Sequence, residues 1–426
     1  MKRWILPFCL LTLTLCGCGQ DAVPAALLGT APVTSESTTA AVTTEPPTTG
    51  ALATAPPIRT VPPEGLLPDG LEAEVYDEIT IGMLLADCDL TLSEPDMLLD
   101  TLTLGEKSLP VCYASDGIRY QYEITYTVSD RTAPVLTKDG DGAEVVCGKA
   151  FDLNEYVGYA DRCDPVPQLS WTGVVDTGIC GSYPIRATVT DASGNSTSWD
   201  LTVQVVPQKT KVQDDLPRLP FGDFMQQYAG DNVCFGIDVS KWQGEIDFAA
   251  VKQAGCEFVI MRVGRFTGDY ALDEYFFRNM ANARAAGLKV GVYLYSTANT
   301  EDEIRENAAF IAAQLSGQAL DFPVVFDWES FDRFQQYGIS TYELNRLYDL
   351  FAEEMAKHGY DTMLYSSRNN MGKIWEERDE PLWLAHYTSA TDYEGDYAMW
   401  QMSCRGRIPG ITGDVDLDLL YTDRMH

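Results

Sequence analysis

The sequence predicts a multidomain chain: an irregular β/α barrel over residues 232–426, preceded by two small all-β sandwich modules over 66–133 and 134–207. Three observations carry that expectation. The length of 426 residues exceeds what one ordinary core organises, since domains cluster near ~100–200 residues. Between 66 and 206, short alternating runs such as YQYEITYTVSD and YPIRATVTDASGNSTSWDLTVQVV are separated by Gly, Asp, Asn and Pro turns, the grammar of antiparallel strands. From 232 onward, apolar runs alternate with stretches of helical periodicity.

At the N-terminus, MKRWILPFCLLTLTLCGCGQ sets Lys2 and Arg3 before an apolar run from Trp4 to Leu15, the anatomy of a secretory signal and too short to span a membrane stably. An exported chain is expected, with residues 1–18 as signal and lipobox. Leu15-Cys16-Gly17-Cys18 resembles a bacterial lipobox, which implies lipidation at Cys18 and anchorage on the extracellular face of the cytoplasmic membrane. Cys16 fits less well, because bulky Leu15 precedes it. Residues 19–65 are rich in Thr, Pro and Ala, with runs such as TSESTTAAVTTEPPTTG, a composition that cannot bury enough apolar surface to fold. A spacer is expected there.

The formal charge of −33 repels a nucleic-acid backbone, so nucleic acid is excluded as a partner. No CxxC pair and only three histidines leave no imidazole metal site, and no cofactor is expected. Glycine-rich phosphate loops and Gly-x-Ser-x-Gly elbows are absent too. Cys88 with Cys112, and Cys163 with Cys180, each share a module and could pair.

The two modules share a weak repeat in which a DT-x(3)-G turn leads into strands ending V-[ST]-D: DTLTLG and VSD in the first, DTGICG and VTD in the second. They resemble bacterial immunoglobulin-like surface modules, including the type whose last hairpin carries a D-x-x-GN turn, here Asp191 to Asn195. Asp191 and Asn195 could ligate calcium, although a turn bonded to its own backbone explains them equally well. Nothing in residues 66–206 groups catalytic residue types, so they are expected to be dispensable for cleaving soluble substrate.

Residues 208–231 read as a connector. Beyond it, FGIDVS, FVIMRVG, KVGVYLYS, FPVVFDWE, TMLYSS, PLWLAHY, YAMWQMS and DVDLDLLY read as eight buried strands, and intervening helical stretches end in glycines that suit helix C-termini. In such barrels function collects where strands end. Acids stand there: Asp238, Asp327, Glu329 and Asp416. Asp327 and Glu329 are two apart on one strand, so both point to one face with Cα atoms roughly 6.5 Å apart, while Trp328 points away. Glycoside cleavage needs one protonated carboxyl at the leaving oxygen and a second to support positive charge on the sugar, and neighbouring anions push one pKa upward.

GIDVSKWQGEIDF, FVIMRVG, AAGLKVGVYLYS, FPVVFDWE, GYDTMLYSS, PLWLAHY and MWQMSCRGRIPGITGDVDLD, in that order, resemble family 25 glycoside hydrolases, muramidases of the Chalaropsis lysozyme type. The resemblance covers essentially all of 232–426 and implies a TIM-like barrel and cleavage of the β-1,4 bond between N-acetylmuramic acid and N-acetylglucosamine. It further implies Glu329 as general acid and base, Asp327 as its companion assisting the substrate's N-acetyl group, and Asp238 and Asp416 as further cleft acids. Tyr295, Tyr365, Tyr387, Trp400 and Gln401 match substrate-binding positions, although for each aromatic a core role stays open. His386 stands where the family often has arginine, and Met402 where tyrosine is common. The implied partner is the peptidoglycan strand, met by a membrane-anchored monomer reaching into the wall. The alternative is a non-catalytic, wall-binding or adhesive lipoprotein that keeps the barrel as a scaffold. A chitinase is disfavoured because the D-x-x-D-x-D-x-E run is absent.

Overall fold

The computed structural model describes residues 58–60, 65, 67–88, 90–210 and 216–425. The expected signal peptide, Cys18 and nearly all of the Thr/Pro/Ala-rich stretch lie outside the described residues. All the described residues belong to one compact unit, spanning 56–426.

The first module forms one sheet in the order Leu71–Glu74, Ile118–Ser129, Gly105–Ser115, Thr91–Leu92. Its long hairpin turns at Asp116-Gly117, both at positive φ (51° and 74°), a two-residue turn whose twist suits antiparallel strands. Alternation buries Tyr120, Ile124, Tyr126 and Val128 on one face. The sandwich expectation is corrected here: among the described residues that face packs on Ile81, Leu85 and Leu99, from the short helix Ile81–Leu84 and the loops beside it, with no second sheet. The physical reason is that residues 77–101 are rich in turns and supply only a two-residue strand to the ladder. The second module has a four-stranded sheet, Glu144–Val146, Ser196–Val206, Gly181–Thr190 and Gln168–Gly173 in that order, and a two-stranded ladder of Val135–Lys138 with Gly158–Ala160. Val145, Tyr159, Ile185 and Val203 share its core.

The internal repeat aligns at its glycines, since Gly105 and Gly181 each open a long strand, but not at its ends. Val128-Ser129-Asp130 closes the second strand of its hairpin, whereas Val189-Thr190-Asp191 closes the first. The cysteine pairings are corrected as well: the described cysteines are free, and Cys180 lies beside Cys147 whereas Cys163 lies beside Tyr76.

Eight strands then close a barrel: β1 (Val233–Val239), β2 (Phe258–Phe266), β3 (Lys289–Ser296), β4 (Val324–Trp328), β5 (Thr362–Ser367), β6 (Leu382–Ala385), β7 (Met399–Arg407) and β8 (Val415–Tyr421). β1 to β7 pair in parallel, and β8 pairs with both β7 and β1 to complete the ring. That last strand is antiparallel, which departs from an all-parallel barrel. Phe258, Ile260, Val325, Met363, Trp383 and Leu420 fill the interior. The opposite residues of the strands pack outward on helices α1 (Phe221–Tyr228), α2 (Phe248–Gln253), α3 (Phe276–Ala285), α4 (Glu301–Leu315) and α5 (Thr341–Lys357). α5 starts on a capping box, with Ser340 and Glu343 satisfying each other's backbone N–H groups. α1 comes from the supposed connector, yet its Phe221 and Phe224 are fully buried in the barrel's outer core.

The second module is seated on the 3-10 segment Ser330–Tyr337, which directly follows Glu329. Thr137 Oγ1 donates to the Phe331 carbonyl at 2.5 Å, Lys138 pairs with Asp332 at 2.8 Å, and Gln335 Nε2 donates to the Val157 carbonyl at 3.1 Å. At Gly158 a Cβ would fall 2.6 Å from the carbonyl oxygens of Phe331 and Asp332, so only glycine permits this approach. The expectation that residues 66–206 are dispensable is therefore revised. A chain lacking them exposes the backbone that follows Glu329, and any cleavage of soluble glycan fragments is expected to fall more than about tenfold, ~1.4 kcal/mol in the barrier. Unchanged turnover would show that the segment holds its shape alone.

Candidate active site

Strand register assembles the site from residues far apart in sequence. Tyr295 on β3, Asp327 on β4 and Tyr365 on β5 are register partners in one row. Asp238 on β1 stands opposite Asp416 on β8, and Gln401 on β7 opposite Asp418. Because β8 runs antiparallel, its beginning rather than its end reaches the C-terminal mouth of the other strands, which is how Asp416 joins Asp238 there.

The result is a cavity of about 300 Å³ lined by Asp238, Asp327, Glu329 and Asp416, with Tyr295, Tyr365, Tyr387 and Gln401 around them. Gln401 ties the wall together: its Nε2 donates to Asp238 Oδ2 at 2.7 Å, and its Oε1 accepts from Tyr365 OH at 2.8 Å and Tyr387 OH at 3.0 Å. Trp328 faces outward as the alternation requires and donates from Nε1 to the Ala298 carbonyl at 3.0 Å, fixing the strand between the two acids.

One expected residue is elsewhere. Trp400 is buried on the outer face of β7, where Nε1 donates to the His386 carbonyl at 2.8 Å and the ring meets Tyr228 of α1 edge to face at 5.6 Å. Adjacent strand residues point to opposite faces, so Gln401 inward dictates Trp400 outward. His386 bonds Thr391 Oγ1 at 2.9 Å, and Met402 is buried in the outer core.

Further wall residues come from Ser240, Trp242, Gln243, Arg262, Tyr293 and Trp383. Arg262 is held by Asp273 at 2.7 and 3.0 Å, with Asp273 nearly fully buried. Trp383 Nε1 donates to Asp418 Oδ1 at 3.0 Å, beneath the cavity floor. Period-2 spacing was the available signal for two of these buried groups: Tyr293 precedes Tyr295 by two, and Asp418 follows Asp416 by two.

Burial pushes every acid of the cluster upward. Asp327 is held well above the usual carboxylate range by burial and by the charge of Glu329, with Arg262 pulling the other way. Glu329 is raised by burial and eased by its hydrogen bond with Asp327. Such a pair shares one proton and titrates as a unit. Asp327, the more deeply buried, is raised the further, whereas the sequence reading assigns the proton to Glu329. Asp238 is raised by burial, Asp416 and Asp418, and Asp418 by burial and Asp416; burial brings Asp416 to about 7.

These shifts fix the sign of a stability effect. Folded pKa values above the unfolded ones mean that the native protein binds more protons between about pH 4 and 7, so stability falls as pH rises through that window. Asp418, fully buried with Oδ2 lacking a partner, makes the cleanest test. Asp418→Asn is expected to raise the melting temperature at pH 7.5 by at least about 3 °C and to flatten its fall between pH 5 and 7.5, as read by scanning calorimetry. An unchanged slope would place the pH dependence elsewhere.

Residues 237–411 match the model of the glycosyl hydrolases family 25. The chain is 31% identical over 195 residues to Lysozyme M1 of Streptomyces globisporus, covering 42% of this chain and 65% of that one. It is 32% identical over 190 residues to the autolytic lysozyme of Clostridium acetobutylicum, covering 43% and 54%. Among solved structures it is similar to a bacterial lysozyme from Streptomyces coelicolor, with 27% identity, 43% of this chain and 90% of that chain covered, and a TM-score of 0.37. The chain spans less than two thirds of the length of the first two relatives. The matched domain defines a glycoside hydrolase of the lysozyme type. This chain carries a domain of glycosyl hydrolases family 25, within a curled, barrel-like sheet.

Proposed function

We propose that the chain is a peptidoglycan hydrolase, an N-acetylmuramidase that cuts the β-1,4 bond between N-acetylmuramic acid and N-acetylglucosamine. The observation that supports this reading best is the convergence of Asp238, Asp327, Glu329 and Asp416 on one cavity with aromatic walls. The proton shared by Asp327 and Glu329 is drawn onto Glu329 by the glycosidic oxygen and passes to it as the C–O bond breaks. Asp327, left anionic, accepts from the N–H of the substrate's own N-acetyl group and stabilises the positive charge that develops there as the acetyl oxygen closes on the anomeric carbon. The Glu329 carboxylate then takes a proton from the water that opens this intermediate. Tyr387 and Trp242, both more than half exposed at the cavity, offer faces on which sugar rings stack.

The test is the release of reducing ends from purified peptidoglycan by the purified protein. Steady release supports the reading. Binding without release makes the chain a wall-binding protein.

We further propose that Cys18 carries a lipid that holds the enzyme at the outer face of the cytoplasmic membrane, with the Thr/Pro/Ala-rich stretch as a tether into the wall. The support is the lipobox-like Leu15-Cys16-Gly17-Cys18 after an apolar run. Cys18→Ala is expected to move the protein out of the membrane fraction. Retention there, with no lipid mass on the N-terminal peptide, would contradict the anchor.

A further inference from the structure

Three carboxyls that take no part in the catalytic cavity meet where the two modules join. Asp130 ends the first module, immediately after the strand Ile118–Ser129. Asp161 follows the short strand Gly158–Ala160 of the second module, and Asp191 stands at the turn between its strands Gly181–Thr190 and Ser196–Val206. Each side chain offers an oxygen, and these oxygens all lie within 4.8 Å of one another. Asp130, Asp161 and Asp191 are 7%, 2% and 6% exposed, so this is a buried cluster and not a solvated acidic surface.

Asp130 accepts from the Thr132 N–H at 3.2 Å and bonds Ser193, yet the cluster's hydrogen bonds leave one oxygen without a donor. Asp161 Oδ1 accepts from the Cys163 and Asp164 N–H groups at 2.9 and 2.7 Å, but its Oδ2 is buried with no donor. Asp191 is held by Asn195, at 2.8 Å from the backbone N–H and 2.9 Å from the side-chain amide, which also donates to the Asp130 carbonyl. The neighbouring arginines turn elsewhere: Arg131 pairs with Glu72 and Glu74, and Arg162 with Asp77 and Glu376. Burial, with Asp130 and Asp191 adding to it, pushes the Asp161 carboxyl up to about 6. Three buried, converging carboxylates with an orphaned oxygen and no facing cation lack a hard positive charge.

We propose that Asp130, Asp161 and Asp191 ligate a calcium ion that locks the first module onto the second. Calcium takes oxygen ligands at ~2.3–2.6 Å in a loose sphere, so oxygens on opposite sides of one ion stand roughly 4.6–5.2 Å apart, and a spread of up to 4.8 Å suits it. Magnesium, at ~2.0–2.1 Å in a strict octahedron, asks for a tighter set. The ion would act beyond this joint. The loop that carries Asp161 also docks on the barrel, where its carbonyl accepts from the Thr341 N–H of α5 at 2.8 Å and Arg162 reaches Glu376 at 3.3 Å. One cation thereby fixes the seating of the second module, which in turn bears on the segment that follows Glu329.

The experiment is a titration of the full-length protein, stripped with chelator, with calcium chloride alone. One ion per chain is expected, at the ~10⁻⁴–10⁻³ M or tighter affinity of extracellular calcium modules. Calcium at about 100-fold above the dissociation constant should raise the melting temperature by at least about 3 °C, and magnesium at equal concentration by less. Asp161→Asn should abolish both effects, and Asp327→Asn with Glu329→Gln should keep them, which separates this site from the catalytic acids. Should Asp161→Asn fail to fold, terbium luminescence of the Asp327→Asn, Glu329→Gln protein, displaced by calcium, takes its place. No heat and no thermal shift in the wild type, binding that survives Asp161→Asn, or no calcium-displaceable terbium emission would each overturn the proposal.

Discussion

Glu329→Gln is expected to lower turnover of purified peptidoglycan by at least about 100-fold while leaving glycan binding nearly unchanged. The substitution keeps the side-chain shape and its acceptor oxygen toward Asp327, but removes the proton that must reach the leaving oxygen. Two of the neighbouring acids are not placed to replace it. Asp238 is tied to Gln401 at 2.7 Å, and Asp418 lies beneath the floor bonded to Trp383. A variant with near wild-type turnover, measured by reducing-end release at saturating substrate, would remove Glu329 from the mechanism.

Asp327→Asn is expected to reduce turnover by a similar order and to move the pH profile in a set direction. Burial raises Glu329, and the hydrogen bond from Asp327 lowers it. An asparagine amide still donates that bond but cannot share the proton or carry negative charge, so Glu329 loses its proton at lower pH. The alkaline limb of the pH-rate profile should shift toward acid, and the acid limb should remain. An alkaline limb that stays in place would mean that the two carboxyls do not titrate as a pair.

Asp327 and Glu329 were legible in the sequence because a strand's period of two would set both on one face; β4 in fact ends at Trp328, and Glu329 stands one residue past it with its backbone turning into the 3-10 segment, yet both reach one cavity with Asp238 and Asp416. The same rule, applied to the adjacent pair Trp400-Gln401, would have sent one of them outward, and it would have added Tyr293 and Asp418. The direction of β8 was also open to argument. Seven residues separate Arg407 from Val415, fewer than the dozen or so that a parallel crossover needs.

Other features were out of reach for a physical reason. α1 is short and sits in a segment with connector-like composition, and only its packing against β7 and Phe235 makes Phe221 and Phe224 core residues. The seating of the second module depends on Thr137, Gly158 and Phe331, which lie up to 194 positions apart in the chain. Asp130, Asp161 and Asp191 likewise belong to separate turns whose meeting is a property of the joint. Local pattern carries no record of such contacts.

The proposed reaction is cleavage of glycan at a defined bond by the carboxyls of this cavity. Its most direct test is mass spectrometry of the fragments that the purified protein releases from peptidoglycan, after reduction of their new ends. Reduced N-acetylmuramic acid is expected at those ends, produced by the wild type and absent with Glu329→Gln. Reduced N-acetylglucosamine, or intact glycan chains, would contradict it.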